Sequence, residues 1–226
     1  MFFDIVTLFP SMFEPVFSDT VIGRARKKGL ISLDCVNIRD YAEDSYKSVD
    51  DYPYGGGPGM VLTPGPVSKA LKGCMERRSD KKYLRIFFTP QGEVMTNSTI
   101  KGLLEYEGLI LLCGRYRGVD QRVREKYIDL ELSIGDFVLS GGEIPAMALI
   151  DSVSRFVPGV LGNQESAEKD SFNNCLLSWP QYTRPEEFEG MEVPEVLLSG
   201  NHKRIREWKE AQALSLTRER RPDLLE

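Results

Sequence analysis

Short apolar runs alternate along this chain with stretches in which apolar residues recur every three or four positions. Phe2–Leu8 is apolar except for Asp4 and Thr7, the pattern of a strand covered on both faces. Pro10 is placed to open a helix behind it. Asp19 is a candidate cap for a short basic helix that ends at Gly29, where glycine suits the C-terminal turn. Leu30–Ile38 reads as a second strand. Further strands are expected over Tyr83–Phe88, ending at Thr89-Pro90-Gln91-Gly92, and over Leu109–Cys113 and Tyr127–Leu132. Helices are expected over Pro66–Met75, Thr96–Glu105, Asp120–Lys126 and Glu143–Phe156. In the last of these, Ile144, Met147, Ile150, Val153 and Phe156 fall at helical spacing. The stretch Asp50–Met60 (DDYPYGGGPGM) is too rich in glycine and proline for regular structure and reads as a loop.

Alternating strands and helices predict an α/β fold: a mostly parallel sheet flanked by helices, over about residues 1–160. Gly162–Asn174 is polar and reads as an exposed, mobile linker, with 161–170 as its span. Residues 171–226 predict a small, mainly helical C-terminal domain. Its principal helix is capped by Asn201 and bounded by Pro222, with Ile205, Trp208, Gln212 and Ser215 or Leu216 on one side.

Composition narrows the class. With 226 residues, 41% of them hydrophobic and 28% charged, the chain has ample material for a core. Cys35, Cys74, Cys113 and Cys175 are scattered, there is no CxxC pair, and the single histidine is His202. Zinc held by Cys and His is thereby disfavoured, no metal ligands are assigned, and the cysteines suit a reducing cytoplasm as small core residues. MFFDIVTLFP lacks the basic start of a leader, and no apolar run is long enough for a membrane span. The net charge is −5, yet basic residues cluster at 24–28, 77–85 and 203–221. Each cluster alone reads as a solvated helix face; together they predict a patchy surface able to meet nucleic acid.

Chemistry concentrates in loops that follow strands. LILLCG (Leu109–Gly114) is an apolar run stopped by glycine, and SIGDFVLSGGEIP (Ser133–Pro145) is a glycine-dense loop with few charges. Neither has GxGxxG or GxxxxGK[ST] spacing, so the usual phosphate cradles are absent. Several glycine loops at the C-terminal ends of strands point to a pocket for a flat heteroaromatic ring, held by backbone groups and apolar faces. Asp170 in the linker has two readings, a solvated carboxylate or a general base delivered when substrate orders the segment. Arg155 either pairs with Asp151 one turn earlier or stabilises charge on an oxygen. Spacing alone favours the structural reading for both.

The segments IVTLFPSMF, GRARKKGLISL, VDDYPYGGGPGM, TPQG, LLCGRYRGVDQRV, SIGDFVLSGGEIPAMALIDSVSRFVPGVLG, YTRPEEFEGMEVPEVLLSGNH and RRPDLL occur in this order from Met1 to about Leu225. The set resembles bacterial tRNA (guanine-N1)-methyltransferase, of the SPOUT superfamily, which methylates the guanosine at tRNA position 37. The resemblance implies a sheet ending in a trefoil knot, S-adenosylmethionine as methyl donor and a homodimer with active sites at the subunit interface. It also implies a tRNA anticodon stem-loop as substrate and magnesium as an accompanying ion. Carried over residue by residue, it puts Thr89, Pro90, Gly114, Tyr116, Ile134, Gly135, Asp136, Phe137, Val138, Leu139, Gly141, Gly142 and Pro145 at the donor. It makes Asp170 the base that takes the proton from guanine N1, and Arg155 the cation near O6. The family usually has glutamate between the tyrosine and glycine of CGRY-x-G; this chain has Arg117, a reversal of charge. Two other readings stand beside this one: a similar methyltransferase acting on another RNA base or a ribose hydroxyl, and a non-catalytic RNA-binding module. The distal motif YTRPEEFEGMEVPEVLLSGNH and Asp170 favour the first reading.

Overall fold

A computed structural model describes residues 1–162 and 170–226. The chain divides into two compact units, Met1–Gln164 and Glu165–Glu226. Within the linker anticipated over 161–170, residues 163–169 lie outside the described residues.

The first unit is built on a sheet of five strands: β1 (Phe2–Thr7), β2 (Ser32–Asn37), β5 (Tyr83–Val94), β6 (Gly108–Leu112) and β7 (Leu130–Ser133). Their order is β2-β1-β6-β5-β7 and every pairing is parallel. The central strands β1 and β6 are buried throughout, which explains why they are apolar but for Asp4 and Thr7. Alternate side chains serve opposite faces. Phe3, Ile5, Leu109, Leu111 and Cys113 join a core closed by α2 (Thr20–Lys27), α4 (Asn97–Gly102) and α6 (Glu143–Ser154). Val6, Ile110, Leu112 and Phe87 join a second core under α3 (Pro64–Arg77) and α5 (Gln121–Tyr127). A short helix, α1 (Glu14–Phe17), adds Phe17 to the first core. Gly29 has φ +70° as the helix-ending reading requires, whereas Asp19 occupies the cap position of α2 without a side-chain cap bond.

Three expectations need correction. β5 does not stop before Thr89-Pro90-Gln91-Gly92; it runs on to Val94, with its register against β7 shifting between Phe88 and Glu93. Its pairing with β6 ends at Phe87↔Leu112, so from Phe88 onward the strand has only β7 as a neighbour. Pro90 therefore costs no ladder bond on the open side. Gly92 lies so close to the Glu131–Leu132 backbone, 2.5 Å from where a Cβ would stand, that no other residue fits without movement. The loop read over Asp50–Met60 is tied at its ends, since β3 (Asp50–Asp51) pairs antiparallel with β4 (Val61–Leu62). Finally, Ile144 of α6 is half exposed, and the inward positions include Glu143, Ala146, Leu149, Ile150 and Val153.

In the second unit, β8 (Glu187–Phe188) and β9 (Met191–Glu192) form a small hairpin, followed by short Glu195–Leu198 and long His202–Arg220 helices. Asn201 caps the long helix by accepting from Arg204 N at 3.2 Å. Its buried stripe passes through Ala213 and Thr217 rather than Gln212. Thr217 Oγ1 accepts from Leu177 N at 2.9 Å and donates to Ala213 O at 2.7 Å, fastening the preceding segment to the helix.

Candidate functional site

The ends of β5, β6 and β7 open into a cavity of about 250 Å³. Its walls come from Phe87–Pro90, from Gly114–Gly118 after β6, and from Leu132–Ile134 and Phe137–Gly142 after β7, with Pro145 from α6. The loops inferred from glycine density thus meet at the carboxyl ends of parallel strands, where open α/β sheets bind ligands. Of the residues assigned to the donor, all but Gly135 and Asp136 line this cavity. Gly135, at φ +139°, instead turns the chain so that Phe137 N donates to its carbonyl at 2.9 Å.

Two backbone crossings set the floor. Gly142 N donates to Gly114 O at 2.9 Å, and Arg115 and Gly141 form an antiparallel bridge. A Cβ on Gly142 would stand 2.8 Å from Cys113 Cα, and one on Gly141 would stand 2.3 Å from Arg115 Nε. The glycines are thus needed because two segments distant in sequence pass in contact.

A buried ion pair underlies that floor. Glu143, 1% exposed, opens α6 and places Oε2 3.0 Å from Arg115 Nε, while Oε1 accepts from Thr7 Oγ1 at 2.8 Å. The negative charge in the first turn of α6 suits the helix dipole. Arg115 also donates to Ser140 O at 3.3 Å and lies over the Phe9 ring at 4.5 Å. The end of β1, the loop after β6 and the loop before α6 are therefore joined by one charged network. The sequence offers Glu143 only as one possible substitute for the carboxylate replaced at Arg117 and gives Arg115 no role; their pairing depends on which distant segments meet. Cys113 is fully enclosed beside this pair, and burial, with the Glu143 charge, pushes its thiol well above the usual range.

Backbone amides and carbonyls, apolar side chains (Ile134, Val138, Leu139, Pro145) and an open mouth suit a nucleoside-sized group. The cavity lies a little below the ~300–1,000 Å³ typical of small-molecule sites. Tyr116 (φ +59°), Phe137 and Val138 leave much of their apolar surface exposed at the rim. Among the described residues no group of His, Cys, Asp and Glu could hold a metal ion, and no helix is long and apolar enough to cross a membrane.

With this geometry in place, comparison with known proteins is decisive. A profile of the family described as tRNA (Guanine-1)-methyltransferase TrmD matches residues 1–226. The chain belongs to that family. The tRNA (guanine-N(1)-)-methyltransferase of Clostridium perfringens strain ATCC 13124 is 52% identical over 223 residues, 99% of this chain and 92% of that protein. The enzymes of that name from Ruminiclostridium cellulolyticum (52%; 99% and 96% covered) and Vibrio vulnificus (52%; 100% and 90% covered) are similar to the same degree.

Within this methyltransferase family member, Arg155 is not part of the cavity lining. Arg155 is the C-cap of α6, its amide donating to Asp151 O at 3.3 Å, and Asp170 belongs to the second unit. Arg117 lies on the cavity wall, where its Nη1 donates to Pro58 O at 2.8 Å and its stem covers Gly59. Its amide donates to Met60 O at 2.9 Å. The reversed charge is thus used to fasten the glycine loop.

Proposed function

We propose that this protein transfers a methyl group from S-adenosylmethionine to N1 of the guanosine at tRNA position 37, next to the anticodon. Family membership over the whole chain is the observation that carries this reading, and the backbone-lined cavity at the sheet's carboxyl edge supports it. The lack of a phosphate cradle fits a donor without phosphate.

The donor, when bound, supplies a methyl carbon made electrophilic by its sulfonium. The chain's own work is to hold, orient and deprotonate. Gly114, Ile134, Leu139 and Gly141 would offer backbone groups to the donor, and Val138 and Pro145 apolar faces. Guanine N1 carries a proton at neutral pH, so its lone pair is unavailable until a base removes it. Asp170 takes that proton in our reading, and the Arg155 guanidinium stabilises the negative charge that moves to O6. The guanosine must leave its stack to be reached. Cations of the helix His202–Arg220 would meet phosphates of the anticodon stem. The trefoil knot belongs to the same proposal, with support in the seating of Gly141-Gly142 against Cys113-Gly114. A homodimer is proposed as well, supported by the exposed apolar rim of Phe137, Val138 and Ile144. Magnesium, if used, would enter with the RNA.

The test is mass spectrometry of tRNA incubated with the protein and labelled donor. Label on N1 of that guanosine is expected in the wild type. In Asp170→Asn turnover should fall at least about 100-fold, the scale of general-base catalysis, while donor binding persists. Label on a ribose, or on another base, would overturn the reading.

A further inference from the structure

The second unit holds a larger cavity than the first, about 520 Å³, formed wholly within that unit. One wall is the segment Asn174–Trp179; the other is the helix face carrying His202, Arg206 and Lys209, with Ala213 buried. Trp179 contributes an indole whose Nε1 is buried with no hydrogen-bond partner among the described residues. Lys209 Nζ stands 4.8 Å from the centre of the Trp179 ring. Among the described residues, neither Arg206 nor Lys209 forms an ion pair, although Glu210 shares the wall. The site therefore combines an aromatic face with two cations that form no ion pair among the described residues, in a space large enough for a nucleotide. Asp170, exposed, stands at the rim of the same cavity.

We propose that this cavity takes one unstacked nucleotide of the RNA substrate, next to the guanosine that is methylated. The inference rests on the methyltransferase reading above, which puts the target guanine at Asp170 on the rim. The next nucleotide along the strand then reaches the interior. Its base stacks on the face of the Trp179 indole. Its phosphate meets Arg206 and Lys209. Two strand positions are thereby fixed at once, which orients the guanine toward its base and presents a second base for recognition.

The experiment uses the full chain carrying Trp208→Phe, which leaves Trp179 as the only indole, and an anticodon stem-loop made abasic at each nucleotide flanking the target in turn. Quenching of Trp179 emission is expected with the intact stem-loop. It should be lost with one abasic substrate and kept with the other. KM for the sensitive abasic RNA should rise by about 5- to 100-fold, the scale of one stacked base, with kcat within about twofold. Arg206→Ala should raise KM for RNA about tenfold and leave donor affinity unchanged, and Arg206→Lys should recover most of that loss. Equal quenching by all three RNAs, or an unchanged KM in Arg206→Ala, would overturn this inference while leaving the methyltransferase reading intact. Failure of the wild type to methylate any stem-loop would instead overturn that reading, and this inference with it.

Discussion

Replacing Gly142 by alanine separates crowding from backbone conformation. Gly142 has φ −81° and ψ −4°, which alanine adopts without strain. On conformation alone the change should stabilise by about 0.4–1 kcal/mol, because it reduces the freedom of the unfolded chain. Space predicts the opposite sign. The new Cβ would stand 2.8 Å from Cys113 Cα, 3.0 Å from Gly114 N and 3.2 Å from Cys113 C, all of them backbone atoms that cannot rotate away. Restoring a carbon contact of about 3.5 Å requires the two segments to part by roughly 0.7 Å. That movement stretches the 2.9 Å bond from Gly142 N to Gly114 O past hydrogen-bond range. Crowding of about 1–3 kcal/mol and a lost bond of about 0.5–1.5 kcal/mol outweigh the entropic gain. The melting temperature should fall by about 2–8 °C. Donor affinity by calorimetry should fall at least about tenfold, since displacements of this size cost heavily at a shaped site. Gly102→Ala is the control: φ is −62°, nothing lies within 4 Å of a built Cβ, and the melting temperature should rise. A Gly142→Ala protein as stable as Gly102→Ala, with undiminished donor affinity, would refute the close crossing.

Glu143→Ala strands Arg115 and frees Thr7, and should cost about 3–5 kcal/mol by chemical denaturation together with a loss of donor binding; unchanged donor affinity would separate the ion pair from the cavity. Arg78→Ala uncovers Asp4, which is fully buried and accepts from Arg78 at 2.8 and 3.2 Å. Since Arg77, 3.5 Å away, compensates in part, the expected loss is about 2–3 kcal/mol with donor affinity unchanged. Burial opposes ionisation of Asp129, but hydrogen bonds from Arg85 prevail and hold its carboxyl below the usual range. Its contribution is therefore present above the unfolded pKa near 4 and is lost as pH falls through the lower folded value. Asp129→Asn should cost about 0.5–1 kcal/mol at pH 7 and flatten the decline of stability below about pH 4 in acid titration of the unfolding midpoint; an unaltered acid limb would exclude this pair from acid unfolding.

The basic groups show how far sequence reading goes. Arg77, Arg78, Lys81 and Arg85 form one cluster in sequence, yet the structure pairs them with Asp4, Asp34, Glu107 and Asp129. Those carboxylates come from β1, β2, the turn before β6 and the turn before β7, so a local count of charges could not find them. Arg26 is likewise taken by Glu14. In the second unit, by contrast, Arg206 and Lys209 form no ion pair among the described residues. Of the scattered cysteines read as core residues, Cys74 and Cys113 are buried but Cys35 and Cys175 are exposed.

Local pattern by itself determined the strands β1 and β6, the helix end at Gly29, the Asn201 cap and the glycine loops at the sheet's carboxyl edge. Each depends on periodicity or on a backbone preference carried by the residue concerned. The motifs also determined the family, because their order along the chain is itself sequence information. Tertiary structure alone decided that β5 continues through Pro90, that Glu143 lies beneath the site and that Arg117 fastens the glycine loop. It also decided that Asn174–Trp179 and the helix His202–Arg220 enclose a cavity. These features depend on which distant segments meet. Contact distances and burial exist only after packing, when a strand's open side, a carboxylate's partner or an indole without one acquires a physical meaning.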